Sequence, residues 1–366
     1  MRRTVFTLAL LLACPALGWA EPLLIGVQDL PAAVAELHAH GVSIRHIIEI
    51  ANAVAVDGDP DRLRALPFVR YVEPDPPDAV WTQEDALEYG VDNIDAEVVW
   101  GGSQGATSVV PGQGGVGVKV AVIDTGIDCG HEDLAPDCFY GENFAVPGTV
   151  PFDDYGHGTH VAGIIGARDN GRGVIGVAPE VELYAVKVLG PTGSGAWSAV
   201  AAGINWAVQN GMAVINMSLG GSSPPQTVAD AVAAANAAGI LIVSSAGNAG
   251  CCNTILYPAK YPESMAVAAV NQLDTRAAFS STGPELDVAA PGVSNRSTVP
   301  TGTCALCDPT GYKSLSGTSM AAPHVAGVGA LLMSRGFSNL QARMRMNETA
   351  KDLGDPGFDN FYGYGR

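Results

Sequence analysis

The stretch Val118-Lys119-Val120-Ala121-Val122-Ile123 is almost wholly apolar and ends on Asp124. A run this short, rich in β-branched residues and entered from a glycine-rich segment (101–117), reads as a strand buried on both faces. Four more runs of the same kind follow, at Leu183–Leu189, Ala213–Met217, Gly239–Ser244 and Met265–Val270. Alanine-rich helical patterns lie between them, over Gly158–Ala167, Ala196–Asn210 and Gln226–Ala238. Strand–helix alternation predicts a three-layer helix-sheet-helix α/β fold with a mainly parallel central sheet. Chemistry in such sheets sits beyond the carboxyl ends of the strands.

Upstream the pattern changes. Residues 22–73 read as a small α+β unit: strands at Leu23–Val27, Ile44–Ile50, Asn52–Val56 and Val69–Glu73, and helices at Pro31–His40 and Asp59–Leu66. Pro74-Asp75-Pro76-Pro77 then forms a stiff extended segment that continues neither a helix nor a central strand. The first residues form a leader: Arg2 and Arg3, an apolar run from Val5 to Ala13, and Gly18-Trp19-Ala20 before the expected cut. The alternative is a lipoprotein box, Leu11-Leu12-Ala13-Cys14, with Cys14 lipidated and the protein anchored. Three segments are therefore expected: 1–20 signal peptide, 21–81 accessory unit, 82–366 main domain.

Composition narrows the function. With 47% hydrophobic and 15% charged residues, bulk disorder is excluded. A net charge of -18 repels nucleic acid and anionic membranes. Seven cysteines, six after Cys14, are an even set for an exported chain. Cys129 and Cys138 read as a pair; Cys251, Cys252, Cys304 and Cys307 read as disulfides or, alternatively, as a four-thiolate zinc site.

Three segments carry reactive side chains at element ends: Asp124 where the first strand stops, His157 before a helix of small residues, and Ser319 at the start of an apolar helix. Alone they also read as a turn residue, a satisfied core histidine and a helix cap. Together, in the order Asp, His, Ser, they supply an acid, a base and a nucleophile in one of the known chain orders of the serine-hydrolase triad. Asn248 ends another strand with a carboxamide donor.

The blocks Ala121–Asp128, His157–Gly163 and Gly317–His324, correctly ordered with Asn248 between them, resemble the subtilisin-like serine proteases over residues from about 85 to the end. The preceding unit resembles that family's inhibitory propeptide. The resemblance implies a secreted serine endopeptidase, made as a self-cleaving zymogen and acting as a monomer on protein or peptide substrates. Ser319 would be the nucleophile, His157 the general base, Asp124 its orienting partner and Asn248 the oxyanion donor. Gly193-Ser194-Gly195 and Ser218-Leu219-Gly220 would pair with the substrate backbone. Trp197 would line an apolar subsite, with an ordinary core aromatic as the alternative. Leu256, where the family often has glycine, would narrow the primary pocket, so medium-sized uncharged side chains are expected before the cut. The resemblance also implies a calcium held by Asp133, Asn170 and the carbonyls of Arg168, Arg172 and Val174, with Asp85 as a further partner and a weaker cation site near Asp287. A metallohydrolase using His157 and His160 is a competing reading, disfavoured because no His-Glu-x-x-His stands here. An α/β-hydrolase esterase is disfavoured because Gly317-Thr318-Ser319-Met320-Ala321 ends in alanine and His157 precedes the serine.

Overall fold

A computed structural model describes residues 21–48, 53–74 and 87–366. Asp85, Cys14, the leader and the segment expected to hold the cleavage site lie outside the described residues. The rest falls into two compact units, divided between residues 82 and 83.

The first unit runs β1 (Glu21–Val27), α1 (Leu30–Ala39), β2 (Ser43–Ile48), β3 (Ala53–Gly58), α2 (Pro60–Arg64) and β4 (Val69–Pro74). Its sheet has the order β2-β3-β1-β4 with antiparallel pairing throughout. Leu23, Ile25 and Val27 alternate along β1, so one face meets Leu30, Ala33 and Leu37 of α1. Asp29 caps α1 by accepting from Ala32 N at 3.1 Å, and Pro31 fits the first turn, where its missing N–H costs nothing.

The second unit opens with α3 (Tyr89–Asn93) and α4 (Ala96–Gly101). Its sheet strands are β5 (Lys119–Asp124), β6 (Cys138–Asn143), β7 (Glu182–Lys187), β8 (Val214–Met217), β9 (Leu241–Ser245), β10 (Ser264–Val270) and β11 (Leu286–Pro291). Helix α5 (His157–Gly166) lies between β6 and β7, α6 (Trp197–Gln209) between β7 and β8, and α7 (Gln226–Ala237) between β8 and β9. After β11 come β12 (Asn295–Thr298), β13 (Tyr312–Leu315), α8 (Thr318–Met333) and α9 (Asn339–Thr349). The seven-stranded sheet has the order β11-β10-β9-β8-β5-β7-β6, and every pairing is parallel.

Strand β5 shows why the sheet is covered twice. Val120 and Val122 join one core with Val161 and Ile165 of α5 and Ala322 and Val325 of α8. Ala121 and Ile123 join the other, with Ile204 of α6 and Val228 and Val232 of α7. Each fully buried aliphatic side chain contributes roughly 1.5–3 kcal/mol relative to exposure. The chain leaves β5 first toward β7 and β6, then returns to β8 on the other side. That reversal makes the carboxyl ends of β5 and β8 the topological switch point.

The pairing of Cys129 with Cys138 holds, and two other readings are corrected, the four-thiolate zinc site and the cation at Asp287. Cys304 and Cys307 are joined to each other, as are Cys129 and Cys138, while Cys251 and Cys252 are free and exposed. With two of the four thiols consumed, a four-thiolate zinc site cannot form. Asp287 is also no cation site. Its carboxylate is filled by Arg343, with Nε at 2.8 Å and Nη2 at 3.0 Å, and by Ala266 N at 2.9 Å.

Candidate active site

Asp124 ends β5 with its side chain fully buried. Its Oδ1 accepts from Thr125 N at 2.7 Å and lies 2.8 Å from His157 Nδ1. His157 is the first residue of α5, and its side chain is 18% exposed, so the ring reaches solvent while its inner edge is held. Burial alone would push the imidazole down, but the Asp124 carboxylate and its hydrogen bond, helped by Asp153, hold it above its ordinary value near 6.5. The other imidazole of α5, His160, is fully buried. Its Nε2 meets the carbonyls of Asn295 and Lys313, and burial pushes it down to about 3. With His160 Nε2 taken up by two carbonyls, His157 Nδ1 by Asp124, and no group of three or more His, Cys, Asp or Glu suited to a metal among the described residues, the metallohydrolase reading finds no ligand set here.

Ser319 stands in the first turn of α8, where backbone N–H groups have no intrahelical acceptor. Its Oγ donates to Ser218 O at 3.2 Å, and Ser218 Oγ donates back to Ser319 O at 2.8 Å. Ser218 follows β8 at the switch point and lines the same cavity as His157. The sequence reading gave Ser218 a place in substrate binding but missed this two-way tie to Ser319.

Asn248 follows β9. Its Oδ1 accepts from Thr318 N at 2.9 Å and Thr318 Oγ1 at 3.1 Å, and Thr318 Oγ1 in turn accepts from Gly247 N at 3.1 Å. The amide is thereby oriented with Nδ2 free of any protein acceptor among the described residues. A methyl group built on Gly317 would lie 3.5 Å from Asn248 Nδ2 and 3.6 Å from Ser319 N, so the two donors neighbour one another.

The cavity beside these groups holds about 510 Å³. Gly193, Ser194, Gly195, Trp197, Ser218, Leu219 and Gly220 all line it, together with Thr125, Tyr155, His157 and Leu189. Trp197 also packs against Gly221, so it is at once a packed aromatic and a wall. Leu256 does not line this cavity. It fills the space between Gly220 and Gly247, in van der Waals reach of both. The loop between β12 and β13 touches the His157 approach, with Leu306 N donating to Tyr155 O at 2.9 Å. A second cavity of about 280 Å³ is lined by Val325, Met346 and Arg366. Its only imidazole, His324, donates from Nδ1 to the Met320 carbonyl and is pushed by burial down to about 4.

The residues expected to hold calcium fit an oxygen-bound cation in chemistry. Asp133 is fully buried and forms no ion pair among the described residues. Burial pushes its carboxyl up, against hydrogen bonds from Val174 N (2.9 Å), the Tyr312 hydroxyl and the Asn170 amide (3.3 Å). The chain at Gly173 (φ +67°) passes so close that a Cβ there would meet Asp133 Oδ2 at 2.3 Å. A buried carboxylate cradled by backbone and neutral groups is one that a hard cation would stabilise. Asn170 turns Nδ2, not its oxygen, toward Asp133. Among the described residues no cluster of three or more His, Cys, Asp or Glu side chains is suited to a metal, so carbonyls would have to supply most ligands.

The profile of the Subtilase family matches residues 115–365. The chain is 42% identical over 347 residues to the M-protease of Shouchella clausii (strain KSM-K16), covering 93% of this chain and 84% of that protein. It is 50% identical over 260 residues to subtilisin DY of Bacillus licheniformis, covering 70% and 89%, and 44% identical over 335 residues to subtilisin E of Bacillus subtilis (strain 168), covering 89% and 81%. His157 is paired with Asp124 at the end of β5, and Ser319, in the first turn of α8, is tied to Ser218 of the cavity that His157 lines; on a sequence this similar to subtilisins, the chain is a serine endopeptidase and belongs to the subtilase family.

Proposed function

We propose that the enzyme cuts peptide bonds through an acyl-enzyme on Ser319, with His157 as base and then acid, Asp124 as its orienting partner and Asn248 as oxyanion donor. The observation that carries this is the His157 Nδ1–Asp124 Oδ1 contact of 2.8 Å in a buried setting. It holds the imidazole in the tautomer that leaves Nε2 free to accept a proton. Ser319 Oγ attacks the carbonyl carbon while its proton moves to His157 Nε2. The carbonyl oxygen gains charge and meets Asn248 Nδ2 and Ser319 N–H. His157 then gives the proton to the leaving amine, and water repeats the cycle to free the acid.

Substrate would lie along Gly193–Gly195 and Ser218–Gly220 as an added strand, which tolerates many sequences. Leu256, outside that cavity lining, packs between Gly220 and Gly247 and would limit the room for the side chain before the cut. The cavity lining carries no Asp, Glu, Lys or Arg. A panel of peptides differing only in the residue before the cut tests this. Medium-sized apolar residues should give the highest kcat/KM, and a strict requirement for Lys or Arg would overturn the assignment. Measured against pH, kcat/KM should fall on the acid side with a midpoint above 6.5, since His157 is active when neutral and its pKa is raised.

The chain is further proposed to be exported by residues 1–20, inhibited by residues 21–81 until self-cleavage near Pro77–Gln83, and active as a monomer of residues 82–366. A protein retained through Cys14 is the alternative. Among the described residues no helix is long and apolar enough to cross a membrane.

Calcium would be held by Asp133, Asn170 and the carbonyls of Arg168, Arg172 and Val174, with Asp85 as an added ligand; when bound it supplies stability rather than chemistry. Calcium at about a hundredfold over its Kd should raise Tm by roughly 5–10 °C over a chelated sample. The rise should vanish in Asp133→Asn. An equal rise in that variant would remove Asp133 from the site.

A further inference from the structure

Asp153 and Asp154 stand side by side in the loop before α5, yet their surroundings are opposite. The side chain of Asp154 is 45% exposed and pairs with Lys187 at 2.7 Å. Asp153 is fully buried and forms no ion pair with a Lys or Arg among the described residues; five donors converge on its carboxylate. Oδ1 accepts from Thr125 Oγ1 (2.8 Å), Gly156 N (2.7 Å) and Tyr155 N (3.1 Å). Oδ2 accepts from Thr159 N (2.8 Å) and Thr159 Oγ1 (2.7 Å).

These donors come from the two elements that carry the Asp124–His157 pair. Thr125 directly follows Asp124, and its Oγ1 also accepts from Gly158 N at 2.9 Å. Gly156 and Gly158 flank His157. The elements approach so closely that a Cβ on Gly158 would lie 2.1 Å from Gly126 O and 3.2 Å from Asp124 Cβ. Helix α5 has no side-chain bond from its own N-cap residue, Gly156, so Asp153 supplies both the acceptors and the negative charge that its N-terminus favours.

We propose that Asp153 is the positioning residue of this active site, a buried anion that locks the end of β5 to the start of α5 and thereby sets the Asp124–His157 contact. The inference rests on the assignment of Asp124, His157 and Ser319 above. Asparagine is a sharp probe. In either amide orientation its NH₂ faces donors: Thr125, Tyr155 and Gly156 on one side, Thr159 on the other. Unlike charges near the imidazole would also change. Asp124 and Asp153 both favour the imidazolium. His160 lies one turn along α5, and the Lys187–Asp154 pair reaches the carbonyl of Thr125.

The test compares Asp153→Asn, Thr125→Val and Thr125→Ser in the full chain, each brought to the wild-type processed form, by kcat, KM, pH profile and Tm. In Asp153→Asn, kcat should fall about 10²-fold with KM within roughly twofold, because misplacement of about 1 Å at a catalytic pair has that size of effect. The acid limb should move to lower pH, since the imidazolium loses one of two carboxylates. Thr125→Val should lower kcat about tenfold while its acid limb stays nearer wild type, and Thr125→Ser should restore kcat. A kcat for Asp153→Asn within about twofold of wild type overturns the proposal. So does a loss of kcat that tracks Tm while the acid limb stays fixed. If Asp153→Asn does not fold, Thr125→Val decides alone: an unchanged kcat rejects the lock. Full activity in Ser319→Ala would instead sink the triad itself, whereas an inert Ser319→Ala with a normal Asp153→Asn would leave the triad standing without this lock.

Discussion

Ser319→Ala should leave a folded chain with almost no peptidase activity. Its kcat should fall about 10⁶-fold, a size carried over from measurements on a related subtilisin. The physical reason is that nothing else in the cavity can form the acyl bond. The hydroxyls that line it are those of Thr125, Tyr155, Ser194 and Ser218, the last tied to Ser319. Thr125 Oγ1 is tied to Asp153, and Ser218 Oγ donates to the Ser319 carbonyl. Neither Tyr155 nor Ser194 sits at a helix N-terminus beside Asn248. The substitution removes one 3.2 Å, partly buried hydrogen bond to the Ser218 carbonyl, whose loss should change stability by about 1 kcal/mol. Tm therefore serves as the control for folding. The same variant tests maturation. If the enzyme removes its own N-terminal unit, mass spectrometry should find Ser319→Ala at full precursor length under conditions where wild type is shortened. Normal shortening of purified Ser319→Ala would exclude self-cleavage while leaving the peptidase assignment intact.

How much of this was legible depends on whether the deciding partner is near in sequence. Strand β5 could be read because burial on both faces leaves an unbroken apolar run. Strand β6 escaped notice because it is an edge strand, and Phe139 and Tyr140 point to solvent beside Gly141 and Glu142. Strand β11 escaped for another reason: it holds Asp287 in its interior and ends on Pro291, both marks of a loop. Arg343, 56 residues away in α9, supplies the cation that makes that aspartate tolerable, beside Ala266 N and Asn347. The triad candidates were legible because each ends or begins a recognisable element. Asp153 was not. In Asp153-Asp154-Tyr155-Gly156 nothing in the sequence separates the two carboxylates, and three of the five donors that hold Asp153 come from Thr125 and Thr159, which no local pattern marks. The cysteines divide the same way. Cys129 and Cys138 read as a pair from their spacing, but whether Cys304 joined Cys307 or Cys251 depended on the folding of a loop with no periodic pattern.

Asn248→Ala should lower kcat about 10²–10³-fold with a small change in KM, again a magnitude taken from a related subtilisin. The asymmetry follows from when the bond is needed. Before attack the carbonyl oxygen is neutral and a donor gains little from it; as the tetrahedral intermediate forms, the oxygen becomes an anion and the donor is worth about 2.7–4 kcal/mol. Alanine alone is an ambiguous probe, because Asn248 also accepts from Thr318 N and Oγ1, and losing that oxygen could shift the first turn of α8 and Ser319 with it. Asn248→Asp resolves this. It keeps an oxygen for Thr318 and replaces the Nδ2 donor with a second, negatively charged oxygen aimed at the developing anion. It should match wild type in Tm and fall at least as far as alanine in kcat. If Asn248→Asp instead keeps most of the activity, the carboxamide acts only by holding Thr318, and the oxyanion must be met by the Ser319 N–H and another donor.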